Sequence, residues 1–200
     1  MVIFDHDNVV VRYDRAKRVA VMAAALDRTE EEIAAAVFGS GLEDAADAGL
    51  LSPEGYLHAL GERLGCTVSR SVWAAARAAG TTADPRMVAL VARVARRMPV
   101  ALLTNNGTLL REELATISPQ VAGLGLPLHA SGDLGVAKPD PEVYRRVARL
   151  HGVTPAHTLF VDDSPDYVDG ARRAGLRAHL FTGYDPVVAF LTAEGALGGR

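Results

Sequence analysis

Val2-Ile3-Phe4-Asp5-His6-Asp7 opens the chain, a short apolar run that ends in two carboxylates two positions apart. As a strand, the run sends Asp5 and Asp7 out on one side of an extended backbone at its end, and His6 away from both, packed or solvated. That placement suits a nucleophile, an acid/base carboxylate and a metal ion around one phosphate. Fourteen Asp in 200 residues supply about one such pair by chance, so its meaning depends on what the rest of the chain brings to it.

Four further short apolar runs read as strands, at residues 100–103, 128–130, 158–161 and 177–181. Helical patterns lie between them. Residues 85–98 place Met87, Leu90, Val91, Val94 and Met98 on one helical face, with Asp84 as N-cap and Pro85 at the first helical position. Asp140 with Pro141, and Ser164 with Pro165, repeat the start signal, and Gly175 marks a stop. Strands alternating with helices predict an α/β fold: a doubly wound, Rossmann-like parallel sheet covered on both faces. Ligands bind such sheets at the carboxyl ends of the strands. This puts Asp7, Thr104, Ser131 and Asp163 on one rim.

More than 80 residues separate the first two strands, and they look helical throughout. Thr29 with Glu32 makes a capping box for a helix over 30–38, Ser52 with Pro53 starts another that ends near Leu64 and Gly65, and Trp73 sits in an Ala-rich segment over 72–79. This is too long for a plain crossover. We expect residues 15–82 to form an inserted α-helical cap, and residues 1–14 and 83–200 the catalytic α/β core. The plainer alternative is that these helices simply pack on a sheet face.

Composition excludes several classes. With 49% hydrophobic and 22% charged residues and a net charge of −3, the chain reads as globular and offers no basic face for nucleic acid and no polybasic membrane segment. Its longest apolar run, residues 19–26, is far short of the ~20 residues that span a bilayer. A strand and an Asp at position 5 stand where a secretory signal would have its basic and apolar regions, so the expected location is cytoplasmic. Cys66, the single cysteine, forms no internal disulfide and reads as a small buried or half-buried side chain. Of 21 basic residues only Lys17 and Lys138 are lysine. A position that stays Lys in an Arg-rich chain hints at a site needing a compact ammonium, as phosphate sites often do.

Four pieces stand in order: Asp5-x-Asp7, then Leu103-Thr104-Asn105-Asn106, then Lys138-Pro139-Asp140-Pro141, then Val161-Asp162-Asp163-Ser164. Their order and spacing resemble the haloacid dehalogenase-like hydrolase superfamily over nearly the whole chain. The likeness includes the helical segment between the first two motifs and the run from Asp163 to Gly175. The resemblance implies that Asp5 attacks phosphorus and that Asp7 protonates the leaving oxygen and then deprotonates water. It also implies one Mg²⁺ held by Asp5, Asp163 and the main-chain carbonyl of Asp7. Thr104 and the backbone at Asn105 would bind the phosphoryl oxygens, and Lys138 would neutralise their charge.

Each assignment has a plainer counterpart. Thr104 and Asn105 are good helix N-caps, Lys138 can be a solvated loop residue, and Asp162 either supports Asp163 in the metal shell or only bonds a loop. The chain departs from the family's commonest pattern at Asn8 and Val9, where Gly and Thr are usual. It departs again at Tyr167, where some members carry a second acid. Six His without two-His spacing give no zinc site, and no nucleophile elbow is present.

The resemblance thus implies a Mg²⁺-dependent phosphatase acting on a small phosphorylated metabolite, a sugar phosphate for example, as a monomer or homodimer. The alternatives are a phosphomutase or other phosphoryl transferase, a 2-haloacid dehalogenase, or a non-catalytic binding protein. Family members that cleave carbon–halogen bonds lack the second Asp, so Asp7 favours phosphate esters. Arg12, Glu43, Asp44, Asp47 and Tyr56 are the cap-side residues that can face either the cleft or solvent.

Overall fold

A computed structural model describes residues 1–198. The strands are β1 (Val2–Phe4), β2 (Val11–Tyr13), β3 (Thr81–Ala83), β4 (Val100–Thr104), β5 (Leu128–Ala130), β6 (Leu159–Asp162) and β7 (Arg177–Leu180). Five of them pair in parallel in the order β5-β4-β1-β6-β7. β1 is central, with Ile3 opposite Ala101 of β4 on one side and Phe160 of β6 on the other. Central parallel strands are buried on both faces and so are apolar throughout. Val2, Ile3 and Phe4 are all fully buried.

Side-chain alternation divides the core in two. Val2, Phe4, Leu102 and Val161 point to one face, where Met87, Leu90, Val91 and Val94 of the helix Pro85–Ala95 meet Val187 and Leu191 of the helix Tyr184–Ala193. Ile3, Ala101, Leu103 and Phe160 point to the other, against Val143, Tyr144 and Val147 of the helix Pro141–Leu150 and Ala171 of the helix Pro165–Arg173. The doubly wound parallel sheet stands. From β1 the chain winds to β4 and β5 on one side, then crosses back to β6 and β7 on the other. Where the winding reverses, a crevice opens at the carboxyl ends of the strands.

Between β2 and β3 run α1 (Arg15–Leu26), α2 (Glu30–Val37), α3 (Leu42–Asp47), α4 (Pro53–Leu64) and α5 (Arg70–Ala79). The Thr29–Glu32 capping box is present, and Ser52 caps α4. β2 and β3 themselves, an antiparallel ribbon with Tyr13 opposite Thr81, were not expected. Met22, Ile33, Leu60 and Trp73 of these helices belong to the same apolar cluster as Phe4 and Leu102 of the sheet. Arg70 of α5 ties the segment down by bonding Glu112 and Glu113 as well as Glu54. Among the described residues no helix is long and apolar enough to cross a membrane.

The loop that carries Lys138 lies against the helix Pro165–Arg173 at a glycine. A Cβ at Gly170 would come within 2.4 Å of the Pro139 carbonyl oxygen, so any larger residue must push that loop away. Gly170→Ala should therefore destabilise the protein by about 1–3 kcal/mol, measured as the shift in urea unfolding.

Candidate active site

Asp5 follows the last residue of β1, with its amide held by the Val161 carbonyl at 2.9 Å. Its side chain is 8% exposed. Its Oδ1 accepts the His6 amide at 2.8 Å and lies 2.8 Å from Lys138 Nζ. The same ammonium sits 2.6 Å from Asp162 Oδ2, while Asp162 Oδ1 accepts the Ser164 amide at 2.8 Å. Asp162 thus has a defined place: fully buried, it fixes Lys138 and bonds the loop after β6. Lys138 is 3% exposed, so it is no solvated loop residue, and it stands behind Asp5, off the cleft surface. Phe160 and Tyr167 flank its ammonium. Tyr167, in place of a second acid, thus lies beside the lysine.

Asp5, Asp162 and Asp163 each bring one carboxylate oxygen within 4.8 Å of the others. The carboxylate of Asp7 is not in this group. One ammonium against three carboxylates leaves excess negative charge, and the donors are all hard oxygens, the set a small divalent cation takes. Both protein donors to Asp5 are on Oδ1, which leaves Oδ2 for a cation or for attack. Burial pushes the Asp5 carboxyl up to about 8, with Lys138 opposing the rise and Asp162 adding to it. Burial and then Asp162 also raise Asp163. A bound divalent cation would reverse both effects.

Asp7 has a different setting. Its Oδ2 accepts from Arg77 Nη2 at 2.6 Å and from Asn106 Nδ2 at 3.3 Å, and its Oδ1 lies 3.0 Å from His6 Nδ1. Burial alone would raise its pKa. The guanidinium and the His6 hydrogen bond outweigh burial and hold the carboxyl well below the ordinary carboxylate range. The expectation that His6 points away from both acids is corrected here. The strand ends at Phe4 and the backbone bends at His6, so period-2 alternation stops. His6 is packed, as expected, yet its ring reaches Asp7.

Thr104 ends β4 with its hydroxyl accepting from Asn106 Nδ2 at 2.7 Å. The side chain of Asn105 turns to the Lys138 loop, donating to the Lys138 carbonyl at 2.8 Å and accepting the Lys138 amide at 2.9 Å. Neither residue caps the helix Thr108–Glu112, whose N-cap is Gly107. Asn8 takes φ 60°, the left-handed conformation for which it substitutes well for Gly, and Val9 is buried in the core.

These groups floor a cleft of about 560 Å³. Asp5, Asp7, Thr104, Asn105 and Asp163 all line it. Ser131 does not: it is fully buried and bonds the Asn106 carbonyl. The far wall comes from α1, from Phe38 just past α2, and from α3. Glu43, Asp44 and Asp47 face the cleft, whereas Arg12 does not line it and Tyr56 is buried behind the wall, bonded to Glu43. Sequence reasoning passed over Arg18, whose guanidinium makes paired bonds to Glu43 at 3.0 and 2.9 Å. It also passed over Arg77 and Asn106. Asn106 stood in the quoted Thr104 motif without a role, and nothing marked the two arginines among 19.

The family model for haloacid dehalogenase-like hydrolases matches residues 1–175. The chain belongs to this family. Haloacid dehalogenase-like relatives bear it out at the level of fold. An enzyme of the family from Bacteroides thetaiotaomicron, solved with magnesium and inorganic phosphate, superposes with a TM-score of 0.77 at 21% identity, covering 94% of this chain and 98% of that one. L-2-haloacid dehalogenase from Xanthobacter autotrophicus, with chloropropionic acid covalently bound, gives 0.62 at 21% identity over 99% of this chain and 84% of that one. By sequence, the chain is 38% identical over 106 residues to a protein named a phosphatase from Mycobacterium tuberculosis, covering 51% of this chain and 49% of that one. It is 38% identical over 101 residues to a phosphoserine phosphatase from Thermus thermophilus, covering 47% and 38%. The matches thus span about half or less of these relatives' length.

Asp47 offers a test of the cleft wall. Burial, Glu43 and Asp44 push its carboxyl from 3.8 up to about 8. Between those limits the folded protein keeps a proton that the unfolded chain has released, so stability contributed at this site falls as pH rises. Asp47→Asn should remove that slope. Thermal unfolding should show the variant gaining on wild type at pH 8 and not at pH 4.

Proposed function

We propose that the protein is a Mg²⁺-dependent phosphatase that hydrolyses a small phosphomonoester through an aspartyl-phosphate on Asp5. The observation that carries this reading is the convergence of Asp5 and Asp163, just past the carboxyl ends of the parallel strands β1 and β6, with Lys138 from the loop ahead of the helix Pro141–Leu150 and with Asp7 on the same cleft. Asp5 Oδ2 attacks phosphorus and displaces the alcohol, splitting one displacement into two easier ones. Asp7, held ionised by Arg77 and His6 before substrate binds, first takes up a proton, which a phosphomonoester monoanion can bring, then gives it to the leaving oxygen and takes one from the attacking water. Thr104 and the backbone of Asn105 orient the phosphoryl oxygens, and Lys138, set behind Asp5, balances charge at the nucleophile.

Asp5 and Asp163, with the main-chain carbonyl of Asp7, would hold Mg²⁺, and Asp162 supports them through Lys138. When bound, the ion supplies positive charge to the phosphoryl oxygens. Residues 15–82 serve as the cap over the cleft and residues 1–14 and 83–200 as the core, the last two of which lie outside the described residues. The β2–β3 ribbon, which joins the two parts at residues 11–13 and 81–83, supports that division. A cleft walled by α1, Phe38 and α3 suits a metabolite-sized ester, a sugar phosphate among them. The phosphatase names of the sequence relatives support the reaction class, and retention of Asp7 supports ester over halide.

The test is phosphate release from a panel of small phosphate esters, with and without Mg²⁺. Wild type should release phosphate from at least one ester only with Mg²⁺. Asp5→Asn should fall to background, and Asp7→Asn should lose on the order of 10²–10⁴-fold in kcat. Release that survives Asp5→Asn would sink the reading.

A further inference from the structure

A carboxylate offers about four lone-pair positions, two on each oxygen. In Asp7, both positions on Oδ2 are taken, by Arg77 Nη2 at 2.6 Å and Asn106 Nδ2 at 3.3 Å. Among the described residues Oδ1 has one partner, His6 Nδ1 at 3.0 Å. Because a carboxylate only accepts, His6 Nδ1 carries the hydrogen in that bond. One position remains, on Oδ1, and the residue lines the cleft.

Arg77 is itself held from several directions. It is 1% exposed, its guanidinium lies 3.6 Å from the centre of the Tyr13 ring, and its Nη1 donates to Thr81 Oγ1 at 2.9 Å. The Thr81 hydroxyl in turn donates to the Arg77 carbonyl at 2.8 Å. Tyr13 and Thr81 are opposite each other in the β2–β3 ribbon. The side chain that grips Asp7 is therefore fixed both to α5, within the helical segment, and to the ribbon beneath it. Arg77 is not among the residues that line the cleft; its guanidinium is aimed at one oxygen of one acid that does.

We infer that Arg77 is a positioning residue for the proton-transfer carboxylate: it anchors Asp7 Oδ2 and leaves Oδ1 as the oxygen that exchanges the proton with the leaving group and then with water. This rests on the phosphatase reading of the site. Arg77 does not touch the phosphate and acts through Asp7 alone. Losing it leaves Oδ2 with only the longer 3.3 Å bond from Asn106, which loosens the carboxylate and shifts Oδ1, a small displacement that costs much in rate.

Steady-state kinetics with Mg²⁺ on p-nitrophenyl phosphate and glycerol phosphate test this with four variants: Arg77→Ala, Arg77→Lys, Asp7→Asn and the double variant Asp7→Asn/Arg77→Ala. Arg77→Ala should lower kcat on the order of 100-fold with little change in KM. Arg77→Lys, which keeps a donor to Oδ2 but loses the fork to Thr81, should recover part of that loss. The double variant should be no slower than Asp7→Asn, because the anchor has no task once the acid is gone. Losses that multiply in the double variant, or an Arg77→Ala effect confined to KM, overturn the inference. Should Arg77→Ala not fold, Arg77→Gln and Arg77→Lys, each alone and with Asp7→Asn, carry the same comparison. A wild type inert on every ester overturns the phosphatase reading and this inference with it, whereas an active wild type with multiplying losses overturns the inference alone.

Discussion

The site depends on one buried ammonium. Lys138 Nζ sits 2.8 Å from Asp5 and 2.6 Å from Asp162, with both carboxylates buried and the lysine itself almost wholly so. An unpaired member of such a set costs about 3–5 kcal/mol, so the three groups must be placed together or not at all. Asp5 follows the last residue of β1, Lys138 lies in the loop ahead of the helix Pro141–Leu150, and Asp162 ends β6. Side-by-side pairing of β1 with β6 brings Asp5 and Asp162 into range, and the Asn105 amide clamps the Lys138 loop from β4. The close seat of Pro139 on Gly170 completes the support. Sheet order, two loops and one helix contact thus all serve the same ion triad.

The triad also explains why a third carboxylate is tolerated at the rim. Asp163 is exposed while Asp162 is fully buried, so adjacent acids in the sequence have opposite tasks. The inner one satisfies lysine and a backbone amide; the outer one faces the cleft with Asp5 Oδ2. Lysine suits the inner position better than arginine: a compact ammonium fits between two carboxylates and beside Phe160 and Tyr167, where a planar fork would not. That is the physical content of finding one of the chain's two lysines here.

Much of the core was legible because its strands are short, because the central ones, β1, β4 and β6, are buried throughout, and because the helices between them open on proline and N-cap signals. Thr104, Asp5 and Asp163 were legible because each directly follows or ends such a strand. What escaped detection is non-local or half-exposed. The ribbon strands Val11–Tyr13 and Thr81–Ala83 are three residues each and make sense only as a pair. The Arg77–Asp7 contact joins residues 70 apart through an Ala-rich helix whose arginine looks like any solvated one. His6 was misplaced for a local reason: alternation was carried one residue past the end of a strand that stops at Phe4.

The helical segment, the ribbon and the Asp7 carboxylate form one mechanical unit. α5 supplies Arg77, β2 supplies the Tyr13 ring beneath it, β3 supplies the Thr81 hydroxyl, and Asp7 receives the result. Asp5, by contrast, takes its contacts only from core segments: the His6 amide, Lys138 and the Val161 carbonyl. The two acids of the opening motif therefore answer to different parts of the fold. Asp5 is fixed by the sheet and the Lys138 loop. Any movement of α5 relative to the sheet must instead stretch or break a 2.6 Å ion pair to Asp7 or carry that side chain with it. Two positions of spacing at the end of β1 are enough to separate a carboxylate held by the sheet from one whose alignment depends on α5 and the ribbon.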